Sequence, residues 1–153
     1  MKRILIVCTG NTCRSPMAGA LAAKLAGEEF GREVEIKTAG IAAFPGAPAS
    51  PQAVTVMEEK GLDLAEHTAQ PVSLELVEWA ELILTMTAGH KQVMLGQFPQ
   101  AGQKLFTLGE YAGNPAPQEI PDPFGGTVED YRRTAQVLEE ALRGVLAVLS
   151  KEN

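Results

Sequence analysis

Cysteine is almost absent from this chain, with two in 153 residues, Cys8 and Cys13, both in one short stretch near the start. So low a count excludes a disulfide scaffold, and His67 and His90 stand too far from the pair and from each other for zinc spacing. No metal is expected. Positive charge is also short: 13 Lys and Arg against 19 Asp and Glu leave a formal charge of −6, which disfavours general attraction to nucleic acid or an anionic membrane. No long hydrophobic run occurs. Met1-Lys2-Arg3 is followed by only a handful of apolar residues, too few for a signal core or a membrane span, so a cytoplasmic protein is expected. Internal repeats, linkers and low-complexity tails are missing, and 153 residues suit a single domain over 1–153. The phosphate loop Gly-x4-Gly-Lys-Ser/Thr is missing too, which argues against a nucleotide triphosphatase.

What is present concentrates in Val7-Cys8-Thr9-Gly10-Asn11-Thr12-Cys13-Arg14-Ser15-Pro16. The apolar run Ile4 to Val7 before it reads as a buried strand, and Met17 to Leu25 after it as a helix. Ser15 suits an N-cap and Pro16 a first helical position, which predicts a helix from Pro16 to about Ala26 with Gly27 as its stop. A strand-to-helix turn of this kind collects unpaired amides and binds anions. Cys8 lies at its mouth, and Arg14 supplies a fixed charge able to make two parallel bonds to phosphate. Positive charge there favours sulfur in its nucleophilic, anionic form. A thiol, an amide cradle and a bidentate cation together point to chemistry on a phosphoryl group.

Further along, Val34 to Thr38 alternates as an edge strand ended by Gly40, and Phe44 to Ser50 is a loop. Ser50-Pro51 opens a second helix reaching Lys60, with Gly61 closing it, and a short helical segment follows over Ser73 to Trp79. Ala80 to Met86 reads as a third strand, Thr87 to Gln97 as a helix, and Lys104 to Leu108 as a fourth strand. Gly113 to Gly126, with Pro115, Pro117, Pro121 and Pro123, is a loop. From Thr127 the residues Val128, Tyr131, Ala135, Leu138, Leu142, Val145 and Leu149 mark a long amphipathic helix, suited to packing on a sheet more than to a coiled-coil seam. Alternating strands and helices predict a small doubly wound α/β domain, with ligands beyond the carboxyl ends of the strands.

A thiolate that attacks phosphorus needs an acid for the departing atom and then a base for water. His67 and His90 have no supporting pattern and read as surface or structural residues. Asp122, fixed between Pro121 and Pro123 and followed by Phe124-Gly125-Gly126, is the better candidate, although Asp is also a common turn former.

The Cys8 to Pro16 stretch, Thr38-Ala39-Gly40 and Asp122-Pro123-Phe124 together resemble the low-molecular-weight protein-tyrosine phosphatase family over essentially the whole chain. The resemblance implies a four-stranded parallel sheet and no metal or organic cofactor, with Cys8 as nucleophile, Arg14 as phosphate clamp and Asp122 as acid and then base. It also implies a phosphate cradle of Thr9, Gly10, Asn11, Thr12, Cys13, Arg14 and Ser15. Asn11 would hold its shape and Ser15 would donate to the thiolate. A reversible Cys8–Cys13 disulfide that switches activity off is implied as well.

Thr12 stands where tyrosine-specific members usually carry a bulky aliphatic residue, Phe124 with two glycines replaces their tandem aromatics, and Thr87 takes the place of an Asp common after Met. Gly-Asn-Thr-Cys-Arg-Ser with Asp-Pro-Phe-Gly-Gly resembles the bacterial protein-arginine phosphatases. Thr12 offers a polar edge to a guanidino group, Phe124 a stacking face and Asp122 an acceptor. The expected partners are phosphoarginine proteins, with links to stress response and turnover; a monomer is expected. The alternatives are a phosphotyrosine phosphatase, an arsenate reductase, which lacks here the extra cysteines of a disulfide relay, and a phosphocysteine carrier.

Overall fold

The computed structural model describes residues 2–113 and 119–152. Among these, four strands form one parallel sheet: β1 (Lys2–Cys8), β2 (Val34–Gly40), β3 (Leu82–Thr85) and β4 (Leu105–Thr107), in the order β2-β1-β3-β4. The helices are α1 (Arg14–Phe30), α2 (Pro51–Glu59), α3 (Leu74–Trp79), α4 (Ala88–Gln97), α5 (Leu108–Ala112) and α6 (Val128–Ser150). A 3-10 turn, Pro99–Lys104, leads into β4.

The apolar run of β1 is explained by burial on both sides. Ile4, Ile6 and Cys8 pack into a core with α1, α2 and α6, while Leu5 and Val7 point the other way, to Leu76, Val77, Met94 and Leu105. Helices therefore cover both faces, as the alternating pattern predicts. The stripe on α6 lies in the first core, wedged against α1, α2 and α5, so it serves intramolecular packing. β2 and β4 are the edges, and strand order reverses between β1 and β3, beside the loop that follows Cys8.

Several boundaries differ from the sequence reading. Helix α1 begins at Arg14 with Cys13 at the cap position; Ser15 lies inside the helix, fully buried, and its hydroxyl faces Cys8 rather than a helix amide. Gly27 does not end α1. Leu25 and Ala26 are buried against the core and Phe30 packs at its margin, which outweighs the ~1 kcal/mol weakness of an interior glycine. Gly31, at φ 58°, is the actual left-handed stop, and the Arg32 N–H closes the motif onto the Ala26 carbonyl. The fourth strand ends at Thr107 because Thr107 and Glu110 form a reciprocal capping box that starts α5, a helix the sequence reading assigned partly to strand and otherwise left out. Pro115 and Pro117 of the expected 113–126 loop lie outside the described residues.

Candidate active site

The strand registers level Cys8 with Gly40 and Val7 with Thr85, so the chain leaving Cys8 emerges at the carboxyl edge of the sheet. β2 approaches this loop closely. A Cβ on Gly40 would collide with the Thr9 carbonyl oxygen and lie 3.0 Å from the Asn11 nitrogen, so only glycine fits.

Asn11 shapes the loop. It is fully buried at φ 57°, a left-handed conformation uncommon outside glycine. Its Nδ2 donates to Ser15 Oγ (2.8 Å) and Thr38 Oγ1 (2.9 Å), its Oδ1 accepts from the Gln70 N–H (2.9 Å), and its carbonyl accepts from His67 Nε2 (2.7 Å). The side chain thus joins α1, β2 and the 62–71 segment. Since Asn11 occupies a lone pair of Ser15, the Ser15 hydroxyl hydrogen is free for Cys8 Sγ, 3.0 Å away. The Asn11 N–H also points at that sulfur, at 3.3 Å. The Ser15 hydroxyl and the Asn11 N–H thus both approach the buried Cys8 sulfur.

Arg14, 4% exposed, is the next part. Its Nη1 donates to the Ile120 carbonyl at 3.0 Å, while Nη2 stands 3.5 Å from Thr9 Oγ1 and 3.6 Å from Asp122 Oδ2. One end of the guanidinium is anchored and the other faces the loop. Asp122 has a half-exposed side chain, with Oδ1 accepting the Phe124 N–H at 3.0 Å. Cys8, Thr9, Gly10, Thr12, Cys13, Arg14, Asp122 and Phe124 line a cavity of about 240 Å³. Asn11 and Ser15, expected as members of the phosphate cradle, are fully buried, with their side chains bonded to each other. Phe124 is 76% exposed at the cavity lip. Cys13 Sγ lies 3.2 Å from the hydroxyl of Tyr131, whose pKa is pushed up to about 12, chiefly by burial and then by its bond to Cys13.

Sequence reasoning missed two contacts. His67 and His90, read as surface or structural, both touch the loop, the latter through Nε2 at 2.8 Å from Thr9 Oγ1. The position of His90 three residues after the Thr87 cap, just past a strand's carboxyl end, was a usable signal. No cluster of three or more metal-ligating side chains occurs among the described residues.

A parallel sheet whose first strand ends in a cysteine-bearing anion cradle, with a buried arginine and a facing carboxylate, defines the class of cysteine-dependent phosphoprotein phosphatases. The chain belongs to the low molecular weight phosphotyrosine protein phosphatase family, whose model matches residues 3–153. It is 44% identical over 149 residues, 97% of each chain, to a protein-arginine-phosphatase of Bacillus subtilis strain 168. The solved structure of YwlE arginine phosphatase from Geobacillus stearothermophilus superposes with TM-score 0.90 at 41% identity, covering 99% of this chain and 95% of that one. A probable low molecular weight protein-tyrosine-phosphatase, EpsP, of Ralstonia nicotianae is 41% identical over 143 residues, 93% of this chain and 87% of its own.

Proposed function

We propose that this protein, as one catalytic unit spanning 1–153, is a protein-arginine phosphatase that hydrolyses the P–N bond of phosphoarginine in proteins. One observation carries the substrate choice. The Thr12 hydroxyl and the exposed Phe124 ring border the same cavity as Cys8, so a flat, hydrogen-bonding guanidino group meets a polar edge and a stacking face together. Among the described residues, the Thr12 hydroxyl has no protein contact stronger than the 3.6 Å one to Cys13 sulfur, which leaves it available to a substrate N–H. The arginine phosphatases among the relatives favour the same reading, while EpsP keeps phosphotyrosine as the rival substrate.

The mechanism follows from the geometry. The Cys8 sulfur, held by Ser15 and the Asn11 amide, attacks phosphorus in line with the departing nitrogen. The S–P bond forms as the P–N bond breaks, and protonated Asp122 hands its proton to that nitrogen, releasing arginine. Arg14 and the loop amides stabilise the equatorial oxygens. The Asp122 carboxylate next takes a proton from water, whose oxygen attacks phosphorus, and S–P cleavage gives inorganic phosphate and the thiolate. The expected partners are phosphorylated proteins; no helix among the described residues is long and apolar enough to cross a membrane.

The test is phosphate release from matched phosphoarginine, phosphotyrosine and phosphoserine peptides by the wild type and Cys8→Ser. Preference for phosphoarginine, abolished in Cys8→Ser, is expected. Faster turnover of phosphotyrosine would overturn the substrate choice, and release undiminished in the variant would overturn the mechanism.

A further inference from the structure

His90 is a buried titratable residue, 6% exposed, that the mechanism leaves unused. It is held at the start of α4, where its N–H donates to the Thr87 hydroxyl at 3.1 Å. From there its ring reaches across to the loop, with Nε2 2.8 Å from Thr9 Oγ1. The other ring nitrogen, Nδ1, is buried and has no hydrogen-bond partner among the described residues. An unpaired buried atom beside a reactive loop calls for a reason.

The arrangement around Thr9 supplies one. Its hydroxyl has one hydrogen and two acceptor sites. Arg14 Nη2, 3.5 Å away, can only donate, so it takes one acceptor site. His90 Nε2 then either donates to the remaining site or accepts the Thr9 hydrogen. In the second case the proton sits on Nδ1 as a buried N–H facing no acceptor, which folded proteins avoid more strongly than an unused lone pair. The first case is therefore preferred. It fills both acceptor sites of Thr9 and leaves the hydroxyl hydrogen directed away from His90 and Arg14, in a residue that lines the cavity above Cys8.

We propose that His90 is a positioning residue for phosphoryl binding: through an Nε2–H···Oγ1 bond it turns the Thr9 hydroxyl into an additional donor aimed at the bound phosphoryl group. His90 never touches the substrate; it sets which way Thr9 points. The charged groups around it agree with a neutral ring carrying a single proton. Burial and the Arg14 guanidinium hold its pKa below the ordinary histidine value, against the opposing carboxylates of Asp122 and Glu119. Arg14 reaches this place from α1, Asp122 and Glu119 from the segment before α6, and Thr9 from the Cys8 loop. The ring thereby ties α4 to the anion cradle.

This inference rests on the phosphatase reading, and the measurement separates the two. The inhibition constant of inorganic phosphate, together with kcat and KM on a phosphoarginine peptide, is determined for the wild type, His90→Leu, His90→Gln, Thr9→Val and the double variant. His90→Leu is expected to weaken phosphate binding and raise KM about tenfold, the scale of one lost hydrogen bond to a charged group, with kcat changed less than about twofold. His90→Gln, whose amide nitrogen falls near the place of Nε2, restores most of the loss. Thr9→Val loses as much as His90→Leu, and the double variant loses no more than either, because the two act as one unit. Thr9 is exposed, so its substitution leaves the core intact and keeps the inference testable if His90→Leu does not fold. Phosphate binding unchanged in Thr9→Val, additive losses in the double variant, or a loss in His90→Gln equal to that in His90→Leu would each overturn the role of His90. Failure of the wild type to bind phosphate at all would overturn the phosphatase reading and this inference with it.

Discussion

Asn11 governs the loop because no other side chain there meets its three demands. Glycine would accept φ 57° without strain but would leave Ser15, Thr38 and the Gln70 N–H without their shared partner. A buried amide that makes all these bonds converts a flexible turn into a rigid cradle. Its neighbour Thr12 has a different task, since its side chain borders the cavity and its carbonyl is pinned by the Ser50 N–H at 2.9 Å. Replacing Thr12 with Ile therefore changes the pocket edge while the loop path stays anchored. We expect kcat/KM for phosphoarginine peptides to fall at least about tenfold, because a guanidino N–H is left unpaired, with phosphotyrosine peptides changed less than about twofold. A ratio of the two specificity constants equal to that of the wild type would remove Thr12 from substrate selection.

At the scale of elements, the start of α6 holds the loop that carries Asp122. Thr127 and Asp130 form a reciprocal capping box, with the Thr127 N–H donating to Asp130 Oδ2 at 2.9 Å and the Asp130 N–H to Thr127 Oγ1 at 3.1 Å. Gly126 passes so close that a Cβ there would lie 2.6 Å from Asp130 Oδ2. The backbone bond from Thr127, then its hydroxyl and the Arg133 charge, hold the Asp130 carboxyl below its ordinary pKa. A lowered native pKa gives a contribution present in full above the unfolded value of about 3.9 and lost as pH falls through the native one. Asp130→Ala is accordingly expected to melt a few degrees below the wild type at neutral pH, with the gap narrowing below about pH 4. Melting curves across that range check it; a gap independent of pH would mean that the carboxylate charge is not what caps the helix.

For the molecule as a whole, the site and the fold share their supports. Arg14 fixes the Ile120 carbonyl, and Asn11 joins α1 to β2 and the 62–71 segment, so occupying the cradle stabilises the native chain globally. Inorganic phosphate at about 100 times its dissociation constant is expected to add about 2.7 kcal/mol to unfolding stability. Urea titrations with and without phosphate measure this, with Arg14→Ala showing no gain; an equal gain in that variant would place the anion elsewhere. Much of this architecture was legible in the chain. The Ile4 to Val7 run, the α6 stripe and the Cys8 to Pro16 turn each carry a local pattern, and periodicity reports burial directly. The end of α1 was misplaced because Gly27 is a stop signal locally, and only the core contacts of Leu25, Ala26 and Phe30 carry the helix past it. Helix α5 escaped notice because five residues are too few to show a period.

The sequence by itself determined which groups are the candidates for chemistry, because a thiol, a guanidinium and a carboxyl owe their chemical character to covalent structure and immediate neighbours, and these stand in order along the chain. Only the tertiary structure decided between the two roles expected of Ser15, setting its hydroxyl beside Cys8 and not at a helix cap, and which of two histidines read as surface or structural reaches Thr9 and which reaches Asn11. The histidine partners are separated by dozens of residues along the chain. A hydrogen bond falls off within a fraction of an ångström, so such pairings exist only after strands and helices have been set side by side.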